Sequence, residues 1–295
     1  MYEKILVPLD GSDLAEGALP YALEVAAASG SEVIIITISE SSNELSPLHQ
    51  AYVDRMIART RDEMVKRSSP GLRISGKAMT GKPADEILRL AEEEQVSLIV
   101  LANRGTGRGP WALGHIASKV LQASRTPVML VKRGKAGRDR EHSLVKRILL
   151  PLDTSVAGAA ATPYAAELAR LLHASLVLLH VEPKPLPWLF APGVEFAYLP
   201  PVSPDQQAKQ LTSHMEYVDK MAQSLREKGL VVSYEASAGS PASEILRYAA
   251  ANEIDLIALS THGHSGIARF VYGSVTEKVL EMADLPVLVV RPAMA

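Results

Sequence analysis

The sequence contains no cysteine among its 295 residues, which excludes disulfides, thiolate metal ligands and cysteine nucleophiles. Aromatic side chains make up only 5% of the chain, which argues against a base-stacking surface for single-stranded nucleic acid. Neither sign of charge is in large excess, because 31 basic and 33 acidic residues leave a formal charge of -2. This balance favours neither nucleic acid nor an anionic membrane as a partner.

Long apolar runs are absent as well. None approaches the ~20 residues that a membrane-spanning helix needs, and the first residues, MYEKILVPLD, lack the apolar core of a signal peptide. We therefore expect a cytoplasmic protein. Hydrophobic residues nevertheless make up 47% of the chain and charged residues 22%, a balance typical of globular proteins, and at ~100–200 residues per domain the length predicts two domains.

Matching sequence words occur twice along the chain, in the same order. The pairs are KILVPLDGS (4–12) with RILLPLDTS (147–155), GKPADEILR (81–89) with GSPASEILR (239–247), SLIVLANRG (97–105) with DLIALSTHG (255–263), and TPVMLVK (126–132) with LPVLVVR (285–291). The spacing is too long for a solenoid repeat. The chain is therefore predicted to contain a duplicated domain, at residues 1–133 and 146–295, with a linker at 134–145.

Short apolar runs alternate with helical patterns in each half. Runs of this kind are typical of strands buried on both faces of a sheet, and their alternation with helices predicts right-handed βαβ units. We therefore expect an α/β fold with two tandem doubly wound domains of five parallel strands each. The predicted strands are Ile5–Leu9, Val33–Ile38, Ile74–Met79 (nearer an edge), Leu98–Ala102 and Val128–Val131, then Ile148–Leu152, Leu176–Val181, Val231–Glu235, Leu256–Ser260 and Val287–Val290.

An insertion distinguishes the second half from the first. The segment Glu182–Ser203 is rich in proline, which disfavours regular structure and predicts a long surface loop. Its aromatic side chains are Trp188, Phe190, Phe196 and Tyr198. They either pack the insertion onto the domain or offer an apolar surface to a partner.

The loop after the fourth strand of the second half is rich in glycine. In doubly wound sheets, ligands bind at the carboxyl ends of the strands, where the winding reverses. Here Gly273 and Ser274 directly precede a helical pattern at Val275–Met282. The amides and dipole at a helix start favour an anion, and Gly263 would let the loop turn back over it. Alternatively, Gly263 is a turn residue and Ser274 an N-cap.

These residues resemble the universal stress protein family (UspA-like), in its tandem two-domain form. The resemblance also rests on the opening LPLD strand, the GxPAxEIL helix start and the closing PVLVV strand, and it covers both halves nearly end to end. ATP-binding members carry glycine, two residues, glycine, nine residues, then Gly-Ser or Gly-Thr. Gly263 and Gly273-Ser274 fit that spacing, whereas Ser260 replaces the first glycine. The implied fold is adenine nucleotide alpha hydrolase-like.

The resemblance implies that the second domain binds ATP, with Mg²⁺ accompanying the phosphates. Asp153 would contact the adenine or ribose, Pro151 would shape the strand end, and Val181 would flank the adenine through its backbone. An Asx turn is the alternative role for Asp153. The residues expected to line the ribose and phosphates are Leu259, Ser260 and Gly263, and those expected to hold the phosphates are Gly273, Ser274, Val275 and Thr276.

The corresponding segment of the first half departs further from the family pattern. Only eight residues separate Gly105 from Gly114, and His115 replaces the phosphate-binding hydroxyl. Ala102 replaces the first glycine, although Asp10 remains at the end of the first strand. Asp10, Gly105 and Gly114 are therefore weaker candidates, and we expect the first half to bind nucleotide less well or not at all. Alternatively, Arg108 and His115 compensate for the lost hydroxyl.

No catalytic or metal-binding residue is assigned from the sequence. There is no Walker motif, no G-x-S-x-G elbow and no evident pair of carboxylates for acid–base catalysis. His262 and His264 lack the spacing of helical zinc ligands. We therefore expect a nucleotide-dependent regulator of the stress response, with at most slow ATP hydrolysis. The alternatives are a nucleotide-free scaffold that binds a protein or apolar ligand through the 182–203 loop, and an adenylate-transferring enzyme.

The resemblance also implies how the halves associate. The closing strands Val128–Val131 and Val287–Val290 would pair and join the two domains into an intrachain pseudo-dimer, which covers their exposed edges. A homodimer of the whole chain is a further alternative, and the sequence does not indicate which protein would be a partner.

Overall fold

The computed structural model describes residues 1–40, 47–66, 71–103, 113–132, 143–183, 204–262 and 272–292. The first half contains β1 (Lys4–Pro8), α1 (Asp13–Glu16), α2 (Leu19–Ser29), β2 (Glu32–Ser39), α3 (Pro47–Lys66), β3 (Ile74–Thr80), α4 (Pro83–Glu93), β4 (Leu98–Ala102), α5 (His115–Ala123) and β5 (Val128–Val131). The second half contains β6 (Arg147–Leu152), a 3-10 turn (Gly158–Ala161), α6 (Thr162–Leu172), β7 (Ser175–Pro183), α7 (Pro204–Glu227), β8 (Val232–Gly239), α8 (Pro241–Ala251), β9 (Leu256–Ser260), α9 (Ser274–Met282) and β10 (Val287–Val290).

Local sequence accounts for where several helices begin and end. Pro83 and Pro241 occupy the first positions of α4 and α8, where a missing N–H removes no helical hydrogen bond. Gly30 ends α2 with φ 70°, a left-handed conformation that glycine adopts without steric cost. The same boundaries therefore appear at matching places in both halves.

The strands form one ten-stranded sheet in the order β3-β2-β1-β4-β5-β10-β9-β6-β7-β8. Within each half all neighbouring strands are parallel, and the order reverses beside β1 and β6, as in doubly wound folds. The closing strands β5 and β10 pair antiparallel, with Leu288 opposite Met129. The predicted pairing of the two halves is therefore confirmed, as is the edge position of β3.

Helices cover both faces of this sheet. One core contains strand residues such as Ile5 and Ile148 together with buried side chains of α2, α3, α6 and α7. The other contains alternate strand residues such as Leu6 and Leu149 with side chains of α4, α5, α8 and α9. Because both faces are buried, the strands read as continuous apolar runs rather than as alternating ones.

The structure corrects the start of the predicted insertion loop. Strand β7 continues through Glu182 and Pro183, which pair with Ala238 and Gly239 of the edge strand β8. The aromatic residues Trp188, Phe190, Phe196 and Tyr198 lie outside the described residues, as do Gly105, Arg108 and Gly263.

The end of the linker packs against the first half. The Leu144 amide donates a hydrogen bond to Glu24 Oε1 at 2.8 Å, and Val145 is buried. In the part of the chain that the structure describes, no helix combines the length and apolar character required to span a bilayer.

Candidate functional site

The carboxyl ends of β6 and β9 lie side by side in the second half. The two strands pair directly, with Ile148 opposite Leu256 and Leu149 opposite Ile257. Asp153 follows β6, and Ser260 is the last residue of β9. The structure therefore places the described site residues of the second half at the carboxyl ends of the central strands, where the strand order reverses.

Hydrogen bonds fix the start of α9 against the end of β9. The Gly273 amide donates to the Thr261 carbonyl at 2.8 Å, and the Thr276 hydroxyl donates to the Ser260 carbonyl at 2.8 Å. Thr276 is 5% exposed. Its hydroxyl hydrogen is thus committed to the backbone, so Thr276 positions the helix in this structure instead of presenting a donor to a phosphate.

Neither the backbone conformation of Gly273 nor its contacts with described atoms require a glycine at the start of α9. Gly273 has φ -66° and ψ 149°, which any residue can adopt. Among the described atoms, a Cβ at this position would come nearest to the Thr261 carbonyl oxygen, at 3.6 Å, an ordinary contact. No side chain caps the helix, and Ser274 is exposed. The first turn therefore presents backbone amides at the positive end of the helix dipole.

Asp153 is held in an Asx turn, the alternative role weighed for it. Its Oδ1 accepts hydrogen bonds from the Ser155 amide at 3.1 Å and the Ser155 hydroxyl at 2.7 Å. A Cβ at Gly158 would lie 2.0 Å from the same oxygen. Gly158 thus gives the carboxylate room at the edge of the sheet, and the turn fixes its position there.

Two of the predicted site residues have side chains that are buried in the core. The side chains of Val181 and Leu259 are 8% and 5% exposed and belong to the core under α8 and α9. Both side chains are therefore engaged mainly in packing among the described residues, and the ligand roles expected for Val181 and Leu259 stay predictions. Pro151 is half-buried and pairs with Leu179 of β7.

The first half repeats part of this geometry. The Ser12 amide and hydroxyl donate to Asp10 Oδ1 at 3.0 and 2.6 Å, and the Gly114 amide donates to the Asn103 carbonyl at 3.0 Å. Ala117 stands where the second half has Thr276, so the side-chain hydrogen bond that fixes the helix start is missing. The backbone frame and the serine of the Asx turn are therefore shared, but the hydroxyls at the helix start are not.

The sequence did not predict that a tyrosine would interact with each aspartate, Tyr217 with Asp153 and Tyr52 with Asp10. Burial raises the pKa of Tyr217, and the negative charge of Asp153 raises it further. In the first half the Tyr52 hydroxyl donates to Glu16 Oε1 at 3.2 Å; burial, Glu16 and Asp10 raise its pKa. The signal was a further repeated word, YVDRM at 52–56 and YVDKM at 217–221. Its offset of 165 differs from those of the other pairs, because Tyr52 lies 22 residues before Ile74 of β3 whereas Tyr217 lies only 15 residues before Val232 of β8.

Comparisons with known proteins agree with this architecture. The model of the universal stress protein family matches residues 1–132 and 145–291. A universal stress protein of Methanocaldococcus jannaschii is 31% identical over 144 residues, which are 46% of this chain and 85% of that protein. One from Mycolicibacterium smegmatis is 28% identical over 202 residues, which are 68% of this chain and 63% of that protein.

Solved structures share the whole fold. A universal stress protein from Archaeoglobus fulgidus has a TM-score of 0.67 at 20% identity, covering 99% of this chain and 100% of that one. A putative universal stress protein from Pseudomonas aeruginosa has a TM-score of 0.69 at 19% identity, covering 99% and 94%. Since the family match takes in both halves, this protein belongs to the universal stress protein family, as a tandem, UspA-like member with a doubly wound α/β fold.

Proposed function

We propose that the protein binds ATP at the carboxyl ends of β6 and β9, and that occupancy of this site regulates a stress response. The start of α9 carries the proposal. Gly273 leaves the first-turn amides without a side-chain cap, although neither its backbone conformation nor its packing against described atoms requires glycine. A phosphate satisfies such amides. Membership in the family supports an adenine nucleotide as the source of that phosphate.

The second half supplies the other groups that a nucleotide needs. The exposed Ser274 hydroxyl adds a donor at the helix start, and the Asp153 carboxylate is an acceptor suited to a ribose or adenine. Thr276 holds the helix in register with β9. Mg²⁺ prefers oxygen ligands, so phosphate oxygens and the Ser274 hydroxyl form a compatible donor set; the ion would neutralise phosphate charge.

Binding is proposed to be weaker in the first half. His115 begins α5 where Ser274 begins α9, and Ala117 replaces Thr276. The carboxylate also differs, because Asp10 is exposed whereas Asp153 is half-buried. Electrostatic contacts to a ligand are stronger in the less solvated site.

The chemistry at the start of α9 supports regulation by occupancy rather than turnover. Among the described residues, the groups that we place at the phosphates are amides and hydroxyls, which bind charge but do not take up the proton of an attacking water. We therefore propose slow hydrolysis at most, with the bound nucleotide changing the surface at the start of α9 that a partner contacts.

Isothermal titration of the full-length protein with Mg²⁺ and ATP tests the site. The variant Gly273→Val should weaken binding by about tenfold or more, a cost of ~1.4 kcal/mol, because the side chain covers the amides. Valine adopts the observed φ and ψ without strain, so the fold should persist. The matched variant Gly114→Val, at the equivalent position of the first half, should bind within about twofold of the wild type.

The opposite pattern would place the nucleotide in the first half, and equal binding by all three proteins would refute both positions. Asp153→Ala and Asp10→Ala form a second matched pair with the same expectation. Denaturing the purified protein and analysing the supernatant for adenine nucleotide gives an independent readout. Capture of a protein partner that depends on residues 182–203, without any nucleotide binding, would support the scaffold alternative.

The close approach of Gly158 to Asp153 gives a subtler test. In Gly158→Ala the new Cβ would displace the Asp153 carboxylate, because the two atoms would lie 2.0 Å apart. Displacing the carboxylate also breaks its hydrogen bonds from Ser155, so the melting temperature should fall modestly. ATP affinity, measured well below that temperature, should fall several-fold. Unchanged affinity in a variant with a lowered melting temperature would remove Asp153 from the proposed site.

A further inference from the structure

Three side chains of the second half converge on the face of β7 opposite Val181. His180 and Glu182 lie two residues apart on β7, and His214 reaches them from α7. The distances to Glu182 Oε2 are 3.3 Å from His180 Nε2 and 3.0 Å from His214 Nδ1. The two imidazole rings meet edge to face, with centroids 4.9 Å apart. None of these residues belongs to the proposed nucleotide site.

The hydrogen bonds of His180 determine which ring nitrogen is available. Its Nδ1 lies 3.0 Å from the Leu152 carbonyl oxygen, which can only accept, so Nδ1 carries the hydrogen. In the neutral ring Nε2 then presents a lone pair towards the Glu182 carboxylate. Two lone pairs at 3.3 Å repel each other unless a proton or a metal ion lies between them.

The surroundings of His180 suit a metal ligand. The side chain is 3% exposed, so packing holds its ring in place. Metal-binding histidines commonly donate their second ring N–H to a backbone carbonyl, as His180 does to Leu152. The side chains of Glu182 and His214 are 34% and 29% exposed, so an ion can reach the cluster from solvent.

We propose that His180, Glu182 and His214 bind a zinc ion. Two imidazoles and one carboxylate form a set of three protein ligands that leaves a fourth position for water, and imidazole ligands select zinc over magnesium or calcium. The ligand atoms all lie within 4.8 Å of one another. Tetrahedral zinc with bonds of about 2.0–2.2 Å places its ligands about 3.3–3.6 Å apart, so small side-chain rotations complete the site.

Within the described residues the complete cluster occurs only in the second half, although His49 of α3 corresponds to His214. The residues of β2 that correspond to His180 and Glu182 are Thr37 and Ser39, at the same register against the neighbouring strand. The fold therefore does not require the cluster for packing. A bound zinc would join β7 to α7, the elements on either side of residues 184–203.

Metal titration of the full-length protein tests the proposal in the absence of nucleotide. After treatment with EDTA and buffer exchange, the protein is titrated with ZnCl₂ against a chromophoric chelator, and the melting temperature is measured with and without zinc. Wild type should bind one equivalent and gain stability on binding. Glu182→Gln and His214→Ala should each weaken binding by about a hundredfold or more, since even outer-shell losses cost about 10–100-fold.

His173→Asn is the matched control. His173 is an exposed histidine at the end of α6, with φ 53°, a conformation that asparagine tolerates. The His173→Asn variant should bind zinc with the same affinity as the wild type. The proposal is overturned if His214→Ala and His173→Asn bind zinc equally well. It is also overturned if the wild type neither binds one equivalent of zinc nor gains stability, since the cluster would then be a histidine–carboxylate pair alone. Gly273→Val should keep the zinc site, so this result stands apart from the nucleotide test.

Discussion

Asp10 and Asp153 each anchor a turn, and the residue that follows each aspartate takes a left-handed backbone conformation. Gly11 has φ 83° and Thr154 has φ 65°. Glycine adopts this conformation freely, whereas a β-branched residue does so at a steric cost. The two halves therefore build the same turn from residues of different intrinsic preference, and the second half stores strain beside its proposed site.

A substitution at Gly11 isolates this backbone effect. No described atom lies within 4 Å of a Cβ at Gly11, so Gly11→Ala should lose stability through its conformation alone, by about 1 kcal/mol. Differential scanning calorimetry should show a melting temperature lower by about 2–4 °C. Gly71→Ala is the matched control, since its Cβ also meets no described atom and its φ is not left-handed. Equal shifts in the two variants would rule out backbone strain as the cause.

Helices α5 and α9 begin on the same backbone frame but are fixed differently. In both, the glycine before the helix donates its amide to a carbonyl just beyond the preceding strand. Only α9 adds the buried hydrogen bond from Thr276 to Ser260. The start of α9 should therefore be the more rigid of the two, as a preorganised binding site requires.

Removing this hydrogen bond should destabilise α9. Thr276→Val keeps the shape of the buried side chain but leaves the Ser260 carbonyl without the hydroxyl, at a cost of about 1–2 kcal/mol. Hydrogen exchange of the α9 amides should accelerate more than that of the α5 amides. Thr276→Ser retains the hydroxyl and should keep slow exchange. If the serine and valine variants exchanged equally fast, the hydroxyl would have no structural role.

Two tyrosines connect the halves across the central β5–β10 pair, one on each face of the sheet. The Tyr2 hydroxyl donates to the Tyr164 carbonyl at 3.0 Å, and the Tyr272 hydroxyl donates to the Ser118 carbonyl at 3.0 Å. Burial is the largest cause that raises the pKa of both tyrosines above the ordinary value. Each hydroxyl therefore stays protonated in the folded protein at a pH where an unfolded chain would lose the proton.

The stability of the joined halves should consequently fall at high pH. Because the folded pKa is raised, the contribution is complete below a pH of about 10 and is lost as the pH rises above it. The double variant Tyr2→Phe with Tyr272→Phe should be less stable at neutral pH but should show a shallower decline in melting temperature above pH 10. Tyr234→Phe, on the edge strand β8, should decline as the wild type does. The same slope in the double variant would contradict the mechanism.

Much of the fold was predictable because strands and helices depend on the local pattern of apolar and polar residues. Four predicted strands, Leu98–Ala102, Val128–Val131, Leu256–Ser260 and Val287–Val290, match the observed bounds, since central parallel strands form unbroken apolar runs. Strand β8 was predicted to end too early, at Glu235, because its last four residues, ASAG, form no apolar run and lie at the sheet edge. The extension of β7 into Glu182 was missed for a related reason: the ladder with β8 defines that end, not side-chain hydrophobicity.

The sequence by itself determined the duplication, the strand–helix alternation and the glycine and hydroxyl at the start of α9, because each depends on neighbouring residues and a repeated order. Tertiary structure alone decided how Thr276 is used and which side chains meet His180. His214 is 32 residues from Glu182 along the chain, and only the packing of α7 against β7 brings them together. Contacts between distant segments leave no local periodicity, so no pattern along the chain could predict this cluster.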